Sequence, residues 1–348
     1  MNGTLTRPLF AVFLALLVLT LSITTYTYIG SRSHRARVRP APTTTEVQRP
    51  LPDRPISHLP GTLYLTNERG SLFKLKQGVF NLLQSEGGWT QPSPSSDGKR
   101  LVIVRRSGFH SDLYLLDQDG QEVAQMLGNA GRYIDQNHWA FYPRLTGDGQ
   151  KIFFSYDSPK GGYEVDLSIW ALPVGGSISQ ARRWTDGTSY TGGDVEPIPL
   201  GSGGMIYTSF DFAPDGTVHP QIWVMPRPFT QGTALTSMDD ACSQPALSPD
   251  GTRLAMICTG GKQTSRLVVA QFTGSSLTGV QVLLDGQLVA RPTWAPDGSG
   301  LAFLAPELPE GLFQLWWLST AAAQTPPAPV QLTIGYDFDA TSTIAWIG

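Results

Sequence analysis

A period of about fifty residues, marked by a proline and an Asp-Gly turn, constrains this chain more than any single residue does. Pro92, Pro143, Pro197, Pro245 and Pro292 each open the same pattern, and Asp-Gly follows five residues later at Asp97-Gly98, Asp148-Gly149, Asp250-Gly251 and Asp297-Gly298, with Ser202-Gly203 in the third copy. The prolines advance by 51, 54, 48 and 47 residues. Proline presets φ for a turn, Asp bonds its own backbone, and Gly takes the left-handed position. A fixed period with turn chemistry at a fixed offset marks a repeat architecture.

Within each repeat the turn is followed by an apolar run, such as Leu101–Val104, Ile152–Phe154 or Leu254–Ile257. A variable loop leads to a second run, such as Leu113–Leu116 or Leu167–Trp170, then to a Gly-rich turn and a last short strand. Four strands per period predict an all-β chain of propeller blades, each burying its faces against its neighbours. Residues 61–84 supply three strands (Thr62–Thr66, Leu72–Leu75, Val79–Leu83) without the proline-bearing one. Residues 340–346 supply one strand where a sixth repeat would begin. One C-terminal plus three N-terminal strands complete a sixth blade and remove the open sheet edges of the ring.

The Pro-x-x-Ser-Pro-Asp-Gly pattern, an apolar strand after it, and a strand like Asp112–Asp117 together resemble the TolB-like (WD-repeat-like) propellers over residues 61–348. The resemblance implies a six-bladed β-propeller. It carries over neither the amino-terminal α/β domain of TolB proteins nor that domain's partners.

Ahead of the propeller, residues 8–30 are apolar and uncharged, long enough to cross a bilayer as one helix. The reading is a single-pass anchor in residues 1–30, with a cleaved signal peptide as the alternative. Residues 31–60, with six prolines and Thr43–Thr45, read as a stiff polar stalk. Orientation carries opposing signals. Arg32, Arg35, Arg37 and Arg39 directly after the span place the propeller in the cytoplasm by the positive-inside rule. The resemblance implies a propeller facing outward. Cys242 and Cys258, eight residues either side of Asp250, fall opposite each other across a hairpin, and a disulfide there fits an oxidising compartment. Two buried thiols are the other reading of that pair. The expectation is a membrane-anchored, extracytoplasmic, monomeric propeller.

Residues 1–60 carry a net +5 and the rest a net −8. An acidic propeller lacks the basic footprint that nucleic acid requires. The acids gather in the loops entering each innermost strand and in those joining strands two and three, which share one face. Asp157, Asp166, Asp194, Glu196, Asp211, Asp240 and Asp339 are the candidate ligand-binding residues there. Such a face attracts cations or basic peptides, and the expected partner is a protein, peptide or glycan. Trp89, His138, Trp139, Phe141, Tyr142 and Tyr190 are aromatics at the same entries. No cofactor, metal ligand set or catalytic residue is expected. Two alternatives stand beside this non-enzymatic binding module: a propeller lyase or hydrolase with its site in the central channel, to which His138 or His219 would give a metal dependence, and an envelope scaffold without a pocket.

Overall fold

The computed structural model describes residues 55–160, 164–260, 262–320 and 328–348. The anchor read at 8–30 lies outside the described residues, and among those described no helix is long and apolar enough to cross a membrane. The described chain forms six antiparallel sheets of four strands, which we number as blades I–VI in chain order.

Blade I holds Thr62–Thr66, Leu72–Lys76 and Val79–Gln84, and its innermost strand is the C-terminal Ala345–Ile347. Thr62 pairs with Ile347 and Tyr64 with Ala345, so the ring closes as the strand count requires. The innermost strands of blades II–VI are Trp89–Pro94, Ala140–Leu145, Asp194–Pro199, Cys242–Leu247 and Ala290–Trp294, each carrying a repeat proline. An innermost strand is an edge strand facing the channel, so the missing proline N–H breaks no ladder.

Packing explains the apolar runs. In Arg100–Arg106, Leu101 and Ile103 pack toward blade I while Val102 and Val104 pack toward blade III. In Arg253–Cys258, Leu254 and Met256 face blade IV while Ala255 and Ile257 face blade VI. Both faces of a blade are buried, hence continuous rather than alternating hydrophobicity. Six hydrophobic clusters among the described residues fill the six blade junctions. Residues 55–60, read from composition as stalk, belong to the propeller: Ile56 and Leu59 are buried in the cluster between blades I and VI. Cys242 and Cys258 lie opposite each other on the first two strands of blade V and are bonded.

The Asp-Gly turns link the first two strands of their blades. Ser95 Oγ donates to Asp97 Oδ1 at 2.6 Å, Ser248 Oγ to Asp250 Oδ1 at 2.5 Å, and Ser299 Oγ to Asp297 Oδ1 at 2.6 Å. The serine and threonine donors hold the Asp250 carboxyl down at about 2, and Asp97, Asp148 and Asp297 are lowered for the same reason. The folded-state values lie below those of the unfolded chain. These turns therefore add stability that is complete above roughly pH 4 and is lost as pH falls toward 2. Asp250→Asn is expected to flatten part of the fall in melting temperature between pH 4 and 2. An unchanged acid limb would contradict this origin.

Candidate functional site

The residue before each repeat proline carries a positive φ: Gln91 (57°), Tyr142 (52°), Glu196 (58°), Gln244 (54°) and Arg291 (54°). For non-glycine residues this conformation costs on the order of 1–3 kcal/mol each and persists where surrounding contacts enforce it. Each sits at a β-bulge, where the register between the first two strands of its blade slips. Bulges re-aim side chains, and here the five meet in the central channel.

Their contacts run from blade to blade. Ser342 Oγ of blade I accepts from Gln91 N–H at 2.7 Å, and Gln91 Oε1 accepts from Tyr142 N–H at 2.6 Å. Glu196 Oε2 accepts from Gln244 N–H at 2.7 Å, and Gln244 Oε1 from Arg291 N–H at 2.6 Å. Each acceptor satisfies the backbone donor one blade ahead. Arg291 then crosses the lumen. Its guanidinium donates to Glu196 Oε1 at 2.5 Å, to Ala340 O at 3.0 Å and to Thr341 O at 2.8 Å, and its Cζ lies 5.5 Å from the ring centroid of Tyr142, on the opposite blade. Burial works against the Arg291 charge, but Tyr142 and Glu196 outweigh it and raise its pKa. Burial raises the Tyr142 phenol. Together these side chains plug the channel.

Above the plug, on the face of the entry loops, the channel widens into a mouth of about 400 Å3. Phe141, Leu167, Val195 and Phe210 give it apolar walls, and Arg106, Gln91 and Gln244 give it hydrogen-bond donors. Gln91 and Gln244 use their oxygens on the neighbouring blade, so their amide nitrogens keep no protein partner among the described residues.

The acidic residues read from sequence surround this mouth in different ways. Asp157 is 1% exposed; its Oδ1 accepts from Trp139 N–H at 2.9 Å and lies 2.8 Å from His138 Nδ1, tying two loops of blade III together. Asp166 accepts from Tyr190 N–H at 2.9 Å and Gly192 N–H at 3.2 Å, shaping the entry to blade IV. Asp194 is buried, bonds Ser209 and Thr185, and has its pKa raised by burial, with Asp186 and Asp211 adding to the rise. Asp339 accepts from Thr341 N–H at 2.8 Å, and with Asp337 it raises Glu68, for which burial is the larger cause. Asp211 and Asp240 are exposed, and Asp240 lies 3.6 Å from Arg266. Two acidic groupings thus form at the rim, Asp186–Asp194–Asp211 and Glu68–Asp337–Asp339. Glu196 belongs to the plug.

His219 is held between Met238 O and Thr217 Oγ1, at 3.1 and 3.0 Å. Among the described residues no group of three or more His, Cys, Asp or Glu is placed to hold a metal ion. Gln91, Gln244 and Arg291 escaped the sequence reading, although a polar or aromatic residue before every repeat proline was the available signal.

No protein-family model and no curated protein sequence matches the chain. Solved structures do. TolB from Acinetobacter baumannii aligns with a TM-score of 0.58 at 19% identity, over 82% of this chain and 65% of that one. A TolB from Agrobacterium tumefaciens, described as putative, aligns at 0.58 and 15%, over 83% and 98%. A Mycobacterium tuberculosis puromycin-hydrolyzing peptidase aligns at 0.52 and 14%, over 82% of this chain and 48% of that one. At these identities the likeness is one of fold, and the fold is the TolB-like six-bladed propeller.

Proposed function

We propose that this TolB-like propeller is a non-enzymatic, monomeric binding module that seats an exposed segment of a partner protein in its channel mouth. The observation that carries the reading is the mouth itself: about 400 Å3, with apolar walls, free amide donors and a floor sealed by Arg291. Apolar walls with a few convergent polar groups are the usual make-up of a ligand pocket. The unused amides of Gln91 and Gln244 suit the carbonyls of an extended chain. The rim acids draw in a segment carrying Lys or Arg, an effect on association rate more than on affinity. Residues 8–30 tether the module to a membrane, and the propeller works in an oxidising compartment.

The test is selection of binders from a random-peptide library on the full chain. Phe210→Asp and Phe141→Ser should weaken the selected peptides at least about tenfold, the scale of one lost anchor. Asp211→Asn/Asp240→Asn should slow association at low salt and leave high-salt affinity nearly unchanged. Peptides that bind the Phe210 and Phe141 variants as well as the parent would place recognition elsewhere. A glycan array probed in parallel distinguishes the sugar reading.

A further inference from the structure

The second strand of blade II, Arg100–Arg106, ends on a residue that lines the channel mouth. Arg105 is paired with Glu122 at 3.9 Å, whereas the Arg106 guanidinium makes no hydrogen bond or ion pair among the described residues. Its contact is aromatic: Cζ lies 5.8 Å from the ring centroid of Trp139, at the entry to blade III. Stacking on a ring occupies the face of a guanidinium and leaves its N–H edge open to a planar acceptor. Two carboxamides line the same mouth. Gln91 is 5% exposed and has its oxygen pinned by Tyr142 N–H at 2.6 Å, which leaves Nε2 without a protein partner. Gln244 is held in the same way by Arg291 N–H at 2.6 Å. The mouth's one lining carboxylate, Glu196, is saturated: Oε1 takes Arg291, and Oε2 takes Gln244 N–H and Thr208 Oγ1 at 2.9 Å. The charged and carboxamide side chains of the interior therefore offer donors, beneath a rim that is acidic.

We propose that the segment seated in the mouth is the carboxyl terminus of the partner protein, with its α-carboxylate held by Arg106. This rests on the reading of the mouth as the binding site and adds the end by which the chain enters. The floor is closed by Arg291, so an entering segment either turns back or ends. A chain that turns back carries peptide N–H groups in among donors, where they lose water and find no carboxylate. An amino terminus brings a cation to the same donors. A carboxyl terminus brings one negative charge and two acceptor oxygens, which match the guanidinium edge. The amides of Gln91 and Gln244 then serve the last peptide carbonyls. The terminal side chain is apolar, to suit Phe141, Leu167, Val195 and Phe210, and Lys or Arg stands upstream, level with the rim acids.

The test is a random-peptide array, attached through the amino termini, in which every sequence is present both as the free acid and as the C-terminal amide. It is probed with the full chain. Peptides whose binding Phe210→Asp weakens report the mouth. Among these the free acid is predicted to bind at least about tenfold tighter than the amide, and Arg106→Gln to bring the two within about twofold. Arg106→Lys, which keeps the charge without the fork, should retain part of the preference. The Arg106 side chain is exposed, so both variants should melt with the parent. Mouth-dependent peptides that bind equally as acid and amide, or that need an internal Asp or Glu instead, overturn the proposal and leave the mouth as the site. An acid preference that survives Arg106→Gln overturns it as well. An array without a Phe210-dependent peptide of either kind removes the reading of the mouth, and this proposal with it.

Discussion

Arg291→Met is expected to lower the melting temperature by roughly 6–10 °C. Arg291 is 8% exposed and Glu196 9%, so removing one partner leaves a carboxylate buried without its counter-charge. Breaking a buried pair in this way costs about 3–5 kcal/mol. The substitution also frees the carbonyls of Ala340 and Thr341, which close blade I onto blade VI. Arg291→Met/Glu196→Gln should recover a good part of the loss, because the neutral amide no longer needs the guanidinium. Arg291→Lys should fall between parent and Met, as a point charge cannot match a fork that bonds three groups at once. A single variant within about 2 °C of the parent, roughly one kcal/mol for a domain of this size, would show that the plug does not hold the ring together.

Ending the chain after Ser342 should cost cooperative folding altogether. The lost segment supplies the innermost strand of blade I, paired with Leu63 through Trp346, and buries Ile344 and Ala345 between blades. Trp346 also donates its indole N–H to Pro60 O at 2.6 Å and packs edge-on against Trp317, with ring centroids 5.6 Å apart. Burying one large apolar side chain contributes about 1.5–3 kcal/mol. Several such losses, with an opened sheet edge, approach the roughly 5–15 kcal/mol that separates folded from unfolded domains. The truncated chain is expected to aggregate or to lose its sharp transition, and a synthetic peptide of residues 340–348 should restore a transition in part. A soluble truncated chain melting within a few degrees of the parent would contradict closure by this strand.

These expectations depend on features that differ in how far sequence alone reveals them. The Asp-Gly turns and apolar runs are local, so Thr62–Thr66 and the pairing of Cys242 with Cys258 followed from spacing and turn chemistry. The closing strand followed from counting strands per period. The plug did not, because Glu196 and Arg291 meet across 95 residues and two blades. Only the ring brings five pre-proline positions to one axis. The acidic residues show the opposite limit. Asp157 and Asp194 have the composition of a binding face, but Oδ1 of Asp157 and the carboxyl of Asp194 hold loops in place, a distinction made by partners distant in sequence. Ile56 and Leu59 were masked by the prolines around them, since composition describes a segment and burial describes a residue.

The most direct test of the channel mouth as the binding site is photo-crosslinking with a library-selected peptide that carries a photoreactive aromatic residue. Adducts are predicted on Phe141, Leu167, Thr191 and Phe210, and should disappear when unlabelled peptide competes. Competed adducts on the opposite face, at the turns of Asp97, Asp148, Asp250 or Asp297, would contradict the account.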